Sequence, residues 1–93
     1  MSQPAPGRYA VVVEVRLREG IADPQGATIE RALPALGLDG VSGVRAGKAF
    51  RFEVAAGSEE EALAQARVVA DRLLANPVSE ESSVSHVPTG AAV

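Results

Sequence analysis

Few residues of this chain are of a type that does covalent chemistry. His86 is the only histidine and there is no cysteine, so neither a thiolate nucleophile nor a His/Cys ligand set is present. His86 stands among Ser82, Ser83 and Ser85, which have no base to orient them, and it reads as a solvated side chain. Ser58-Glu59-Glu60-Glu61 places three carboxylates in succession. Successive helical positions point in different directions, so the run reads as a cap and a dipole partner rather than a metal site. Ser58 would cap the helix and Glu61 would reach back. Gly43-Val44-Arg45-Ala46-Gly47-Lys48 invites a phosphate-loop reading, which fails. Ser42 stands where the first loop glycine would be, Ala49 follows Lys48 where a hydroxyl is needed, and a strand-to-strand context offers no helix N-terminus to an anion. An electrostatic role remains, with Arg45, Lys48 and Arg51 meeting acidic groups of a partner. The plain alternative is that they are solvated charges.

The elements that would position these residues follow from patterning. At 93 residues, with a formal net charge of −3 and three aromatic residues, the chain is one small domain without the basic field of a nucleic-acid module. No apolar run approaches the ~20 residues of a transmembrane helix. The first residues lack a signal peptide's basic and apolar regions, so a cytoplasmic location is expected. Residues 1–8 read as a flexible arm, 9–87 as the domain and 88–93 as a tail.

Tyr9 to Leu17 alternates as a strand, with Val11, Val13, Val15 and Leu17 on one face. Val12 on the other face hints that this side is partly covered too. Asp23 is a good N-cap and Pro24 suits the first helical position. Gly26 is odd so early in a helix unless another segment approaches closely. Ile29, Ala32, Leu33 and Leu36 form the expected buried stripe, Pro34 loosens the last turn and Gly37 ends it. Val41–Val54 reads as a hairpin with Gly47-Lys48 at its tip or as a bulge near it. Phe50, Phe52 and Val54 lie on one face, and Arg51 and Glu53 on the other. A second helix runs from Ser58 with Ala62, Leu63, Ala66, Val69, Ala70, Leu73 and Leu74 as its apolar face, and Pro77 stops it. Val78–Val87 reads as a short polar edge strand. The expected fold is α+β: a ferredoxin-like β-α-β-β-α(-β) antiparallel sheet with both helices on one face.

Several segments together resemble the PurS family. They are Val11–Leu17, Asp23-Pro24-Gln25-Gly26, Ala32–Gly37, Val44–Lys48 and Leu73–Glu80, in order over nearly the whole chain. The resemblance implies the small subunit of phosphoribosylformylglycinamidine (FGAM) synthase. That complex converts formylglycinamide ribonucleotide, ATP and glutamine in de novo purine (IMP) biosynthesis. A glutaminase subunit, PurQ, would release ammonia, and a synthetase subunit, PurL, would use it with ATP. The PurS subunit would be non-catalytic and without a cofactor or metal of its own, leaving ATP, magnesium and glutamine to its partners. It would form a homodimer or higher assembly, bridge the two partners and assist ammonia transfer. The chain departs from the family at Ser79 and Ser82, where an aliphatic and an aromatic residue are usual, and so lacks two apolar anchors just after the Asn76-Pro77 stop.

A bridge needs strand edges and exposed charge rather than a pocket. The candidate docking residues are Asp23, Gln25, Gly26, Arg45, Lys48, Arg51 and Asn76. The competing expectation is an ACT-like regulatory domain that binds a small metabolite. A free-standing enzyme would need a catalytic constellation that the residues do not supply.

Overall fold

The structure, a computed structural model, describes residues 7–87. The expected tail and residues 1–6 of the expected arm lie outside that range, whereas Gly7 and Arg8 of the arm are strand, paired with Ala56 and Ala55. In order, the elements are β1 (Gly7–Leu17), α1 (Pro24–Ala32), a 3-10 turn (Pro34–Leu36), β2 (Gly47–Ala56), α2 (Glu59–Val69), a π-turn (Ala70–Leu74) and β3 (Glu80–His86). The strands form one antiparallel sheet in the order β2-β1-β3.

β1 is the axis of the molecule. Val13 lies opposite Phe50 on one side and Val84 on the other, and Val11 lies opposite Phe52 and His86. Residues directly opposite each other share a face, so the predicted alternation of β1 and of Phe50, Phe52 and Val54 holds. Val11, Val13 and Val15 are fully buried. α2 and the π-turn that continues it cover this face through Ala62, Ala66 and Ala70, all fully buried, whose small side chains let the helix lie close to the strands. Ser58 caps α2: its Oγ accepts from Glu61 N at 3.1 Å, while Glu61 Oε2 accepts from Gly57 N at 3.3 Å, a capping box reaching one residue upstream of the cap. Among the described residues no helix lies on the opposite face of the sheet, yet Val12 is buried there between its cross-strand neighbours Arg51 and Ser85.

The α+β class and the antiparallel sheet are as expected, and the edge strand at the end of the domain is present. Four details differ. First, there is no hairpin in Val41–Val54, because only Gly47 onward is strand. The backbone N–H groups of Val44 and Ala46 donate to the carboxylates of Glu30 and Asp23 instead of to a neighbouring strand. Gly43, with φ of 71°, breaks the extended run.

Second, α1 does not lie on the sheet, and its expected buried stripe is open. Ile29 and Leu36 are exposed, as are Leu38 and Val41 beyond them. The stripe is real as a pattern, but among the described residues only Leu33 of it is partly covered. Third, Leu73 is exposed while Leu74 packs with Ala70 against Val13 and Val15. Ala75 N bonds to Ala70 O at 2.9 Å, five residues back. This wide turn carries Leu74 onto the sheet face and Leu73 off it. Fourth, His86 is not simply solvated. Its ring meets Tyr9 edge-on at 5.7 Å and its Nδ1 lies 3.3 Å from Glu59 Oε1.

Candidate functional site

Asp23 organises the ground between α1 and the start of β2. One carboxylate oxygen accepts from Gly26 N at 2.9 Å, which caps α1. The other accepts from Ala46 N at 2.8 Å, which ties the incoming chain to the helix start. Glu30, two turns further along α1, accepts from Val44 N at 2.9 Å. Arg45 stands 3.7 Å from Asp23 Oδ2 and donates to Leu17 O at 3.3 Å. These contacts hold Asp23's carboxyl below the usual carboxylate range. The backbone bond from Gly26 contributes most, then that from Ala46, and Arg45 adds to them against the opposing effect of burial.

Gly26 makes this closeness possible. A Cβ there would come within 2.5 Å of Asp23 Oδ2 and 2.6 Å of Val44 O. The close approach expected from its position is therefore found, and the approaching segment is the loop into β2. Gly47 does the same for the sheet, since a Cβ there would meet Val15 O at 2.8 Å.

Lys48 begins β2 on the face that carries Phe50 and Phe52, opposite Val15. Its Nζ is 3.8 Å from Glu80 Oε2, while Glu80 Oε1 accepts from Asn76 N at 2.7 Å. Asn76 also accepts through its side chain from Val78 N at 3.0 Å, which closes the turn after Pro77. An open cleft of about 340 Å³ runs between these groups, lined among others by Leu17, Asp23, Gln25, Gly47, Lys48 and Glu80. Asp23, Gln25, Gly26, Arg45 and Lys48 thus come together, and Asn76 joins them through Glu80. Arg51 does not. It lies on the helix-free face, opposite Val12.

Sequence reasoning missed Glu30 and Glu80, the two carboxylates that fix the neighbouring backbone. Glu80 stands four residues after Asn76, a separation that lets a carboxylate fold back onto a helix end, and this was the available signal. Ser82 is likewise more than a lost anchor: its Oγ accepts from Arg67 Nη1 at 2.9 Å, a polar tie between α2 and β3.

The arrangement offers shaped charge rather than a reactive pair. Among the described residues no cluster of three or more His, Cys, Asp or Glu is placed to hold a metal ion, and no helix is long and apolar enough to cross a membrane.

Comparison with known proteins assigns the family. The family model described as "PurS: Phosphoribosylformylglycinamidine (FGAM) synthase" matches residues 10–88. The chain is 40% identical over 72 residues to phosphoribosylformylglycinamidine synthase subunit PurS of Archaeoglobus fulgidus, covering 77% of this chain and 90% of that one. It is 43% identical over 74 residues to the PurS subunit of Mycobacterium leprae, covering 80% and 90%. Its fold is similar to the crystal structure of the Thermotoga maritima PurS subunit, with TM-score 0.81 and 33% identity over 88% of this chain and 94% of that one. It is also similar to a chain in the structure of PurLQS from Thermotoga maritima, with TM-score 0.79 and 33% identity over 87% and 99%. The chain belongs to the PurS family, the PurS subunits of phosphoribosylformylglycinamidine synthase.

Proposed function

We propose that this subunit bridges the glutaminase PurQ and the ATP-dependent synthetase PurL in the cytoplasm and assists the passage of ammonia between them, without catalysing a step itself. The observation that carries this reading is the family match over residues 10–88. The likeness to the chain in PurLQS of Thermotoga maritima spans 99% of that chain and supports it. In this reading ATP, magnesium and glutamine are used by the partner subunits, and the chain contributes surfaces. It works as a homodimer or higher assembly, which gives the exposed α1 stripe a cover.

Reconstitution tests it. The cognate glutaminase and synthetase, mixed with this chain, should form FGAM from glutamine. Leaving the chain out should abolish the glutamine-dependent reaction while sparing synthesis from added ammonium. Equal glutamine-dependent rates with and without the chain would sink the reading. A metabolite-binding regulatory domain would instead show a rise in Tm with an amino-acid ligand.

A further inference from the structure

The cations at the cleft are unequal partners of the acids beside them. Asp23's side chain is 9% exposed and Glu80's 18%, whereas those of Arg45 and Lys48 are 47% and 55% exposed. Each acid already accepts short backbone bonds, two for Asp23 and one for Glu80. Each cation sits at the long separation of 3.7 or 3.8 Å from its acid. The acids are therefore fixed inward, and the cations are held in place by attraction with much of their hydrogen-bonding capacity still facing water.

Arg16 lines the same cleft and a second one that adjoins it, but it turns to the helix-free face and pairs with Glu81 at 3.2 Å, which leaves Arg45 and Lys48 as the cations at the opening. Glu14 is the exposed carboxylate in that lining, and it points to the helix-free face, away from Lys48. A two-fold contact centred here would set cations against cations, so a second copy of this chain is a poor occupant.

Resting on the bridging role above, we propose that the cleft between Asp23 and Glu80 receives an acidic segment of a heteromeric partner subunit, whose carboxylates accept from the remaining N–H donors of Arg45 and Lys48. The fixed carboxylates behind the cations hold them in position before the partner arrives, which lowers the ordering cost of docking. Arg51, on the other side of the sheet, takes no part.

The test measures the affinity of the full chain for each cognate partner subunit against ionic strength. The double variant Arg45→Gln with Lys48→Gln should bind at least about tenfold more weakly near 0.1 M salt. The gap should close toward 1 M, where the screening length falls to about 3 Å. The charge-preserving pair Arg45→Lys with Lys48→Arg should recover most of the binding, and the urea midpoints of all three proteins establish that they are folded. Wild-type binding with no weakening in the double variant overturns this proposal and leaves the bridging role intact. So does a loss that is the same at every salt concentration and is not recovered by the charge-preserving pair, or one confined to self-association. Wild-type chain that binds neither partner overturns both.

Discussion

Gly26 and Asp23 are one device. The glycine removes the atom that would collide, and the aspartate supplies the acceptor that draws the loop in. Gly26→Ala should therefore destabilise the fold by about 1–3 kcal/mol, the usual penalty for forcing an atom into a packed site. In urea unfolding this would appear as a lower midpoint at an unchanged slope. Asp23 carries a pH signature as well. Its carboxyl is held below 3.8 in the folded chain. Its contribution to stability is thus fully present above the unfolded-state value and is lost as pH falls through the lower, folded one. Asp23→Asn keeps a capping oxygen for Gly26 but loses the acceptor that serves Ala46. The variant should be less stable than wild type at pH 7, with the difference shrinking in unfolding titrations from pH 5 toward pH 2. A constant difference would mean that the charge on Asp23 is irrelevant to folding.

The end of α2 offers a test at the level of one element. Regular helical spacing puts both Leu73 and Leu74 on the apolar face, and the π-turn keeps only Leu74 there. Leu74→Ala should cost about 1–3 kcal/mol, less than a fully buried leucine because Leu74 is half-buried, while Leu73→Ala should fall within about 0.5 kcal/mol of wild type. Chemical denaturation of the pair decides between the two arrangements. What the sequence made legible were the elements governed by their own neighbours. The alternation of Val11, Val13 and Val15, the caps at Asp23 and Ser58, the loosened turn at Pro34 and the αL ending at Gly37 are all local chemistry. What it hid depended on distant groups. The segment before Gly47 alternates well enough for a strand, but Glu30 and Asp23 take the N–H groups a strand would have used. The meeting of Lys48 with Glu80 depends on β1 lying between their strands, which no short-range pattern reveals. Asp23, Gln25, Gly26, Arg45 and Lys48 were legible as a group because the loop and helix that carry them touch. Arg51 was misplaced with them because a hairpin would have put it nearby.

Taken whole, the molecule is a sheet with one helix firmly on it and a second helix attached at its base. The apolar residues of that second helix and its following loop, Ile29, Leu36, Leu38 and Val41, are open in the single chain. Replacing Ile29 and Leu36 together by glutamate should leave the monomer's fold intact and lower the mass measured by sedimentation if a second copy covers them. An unchanged mass would assign their cover to another subunit. The strand order β2-β1-β3 has a consequence in time as well as in space. β1 is the first strand of the chain, and it finds one neighbour in the middle of the sequence and the other at its end. Both pairings span long loops, so closure is slow for a domain of this size. β1, β2 and α2 touch one another directly and can assemble before residues 80–86 dock. Until they arrive, the edge of β1 that will receive β3 is open, and an open edge of valines is a template for other strands. A polar closing strand, with Ser82, Ser83 and Ser85 in it, keeps the last segment soluble while it waits to pair. A chain cut before Glu80 would keep its helix-covered core and lose the strand that seals it, and its failure would be aggregation before it was unfolding.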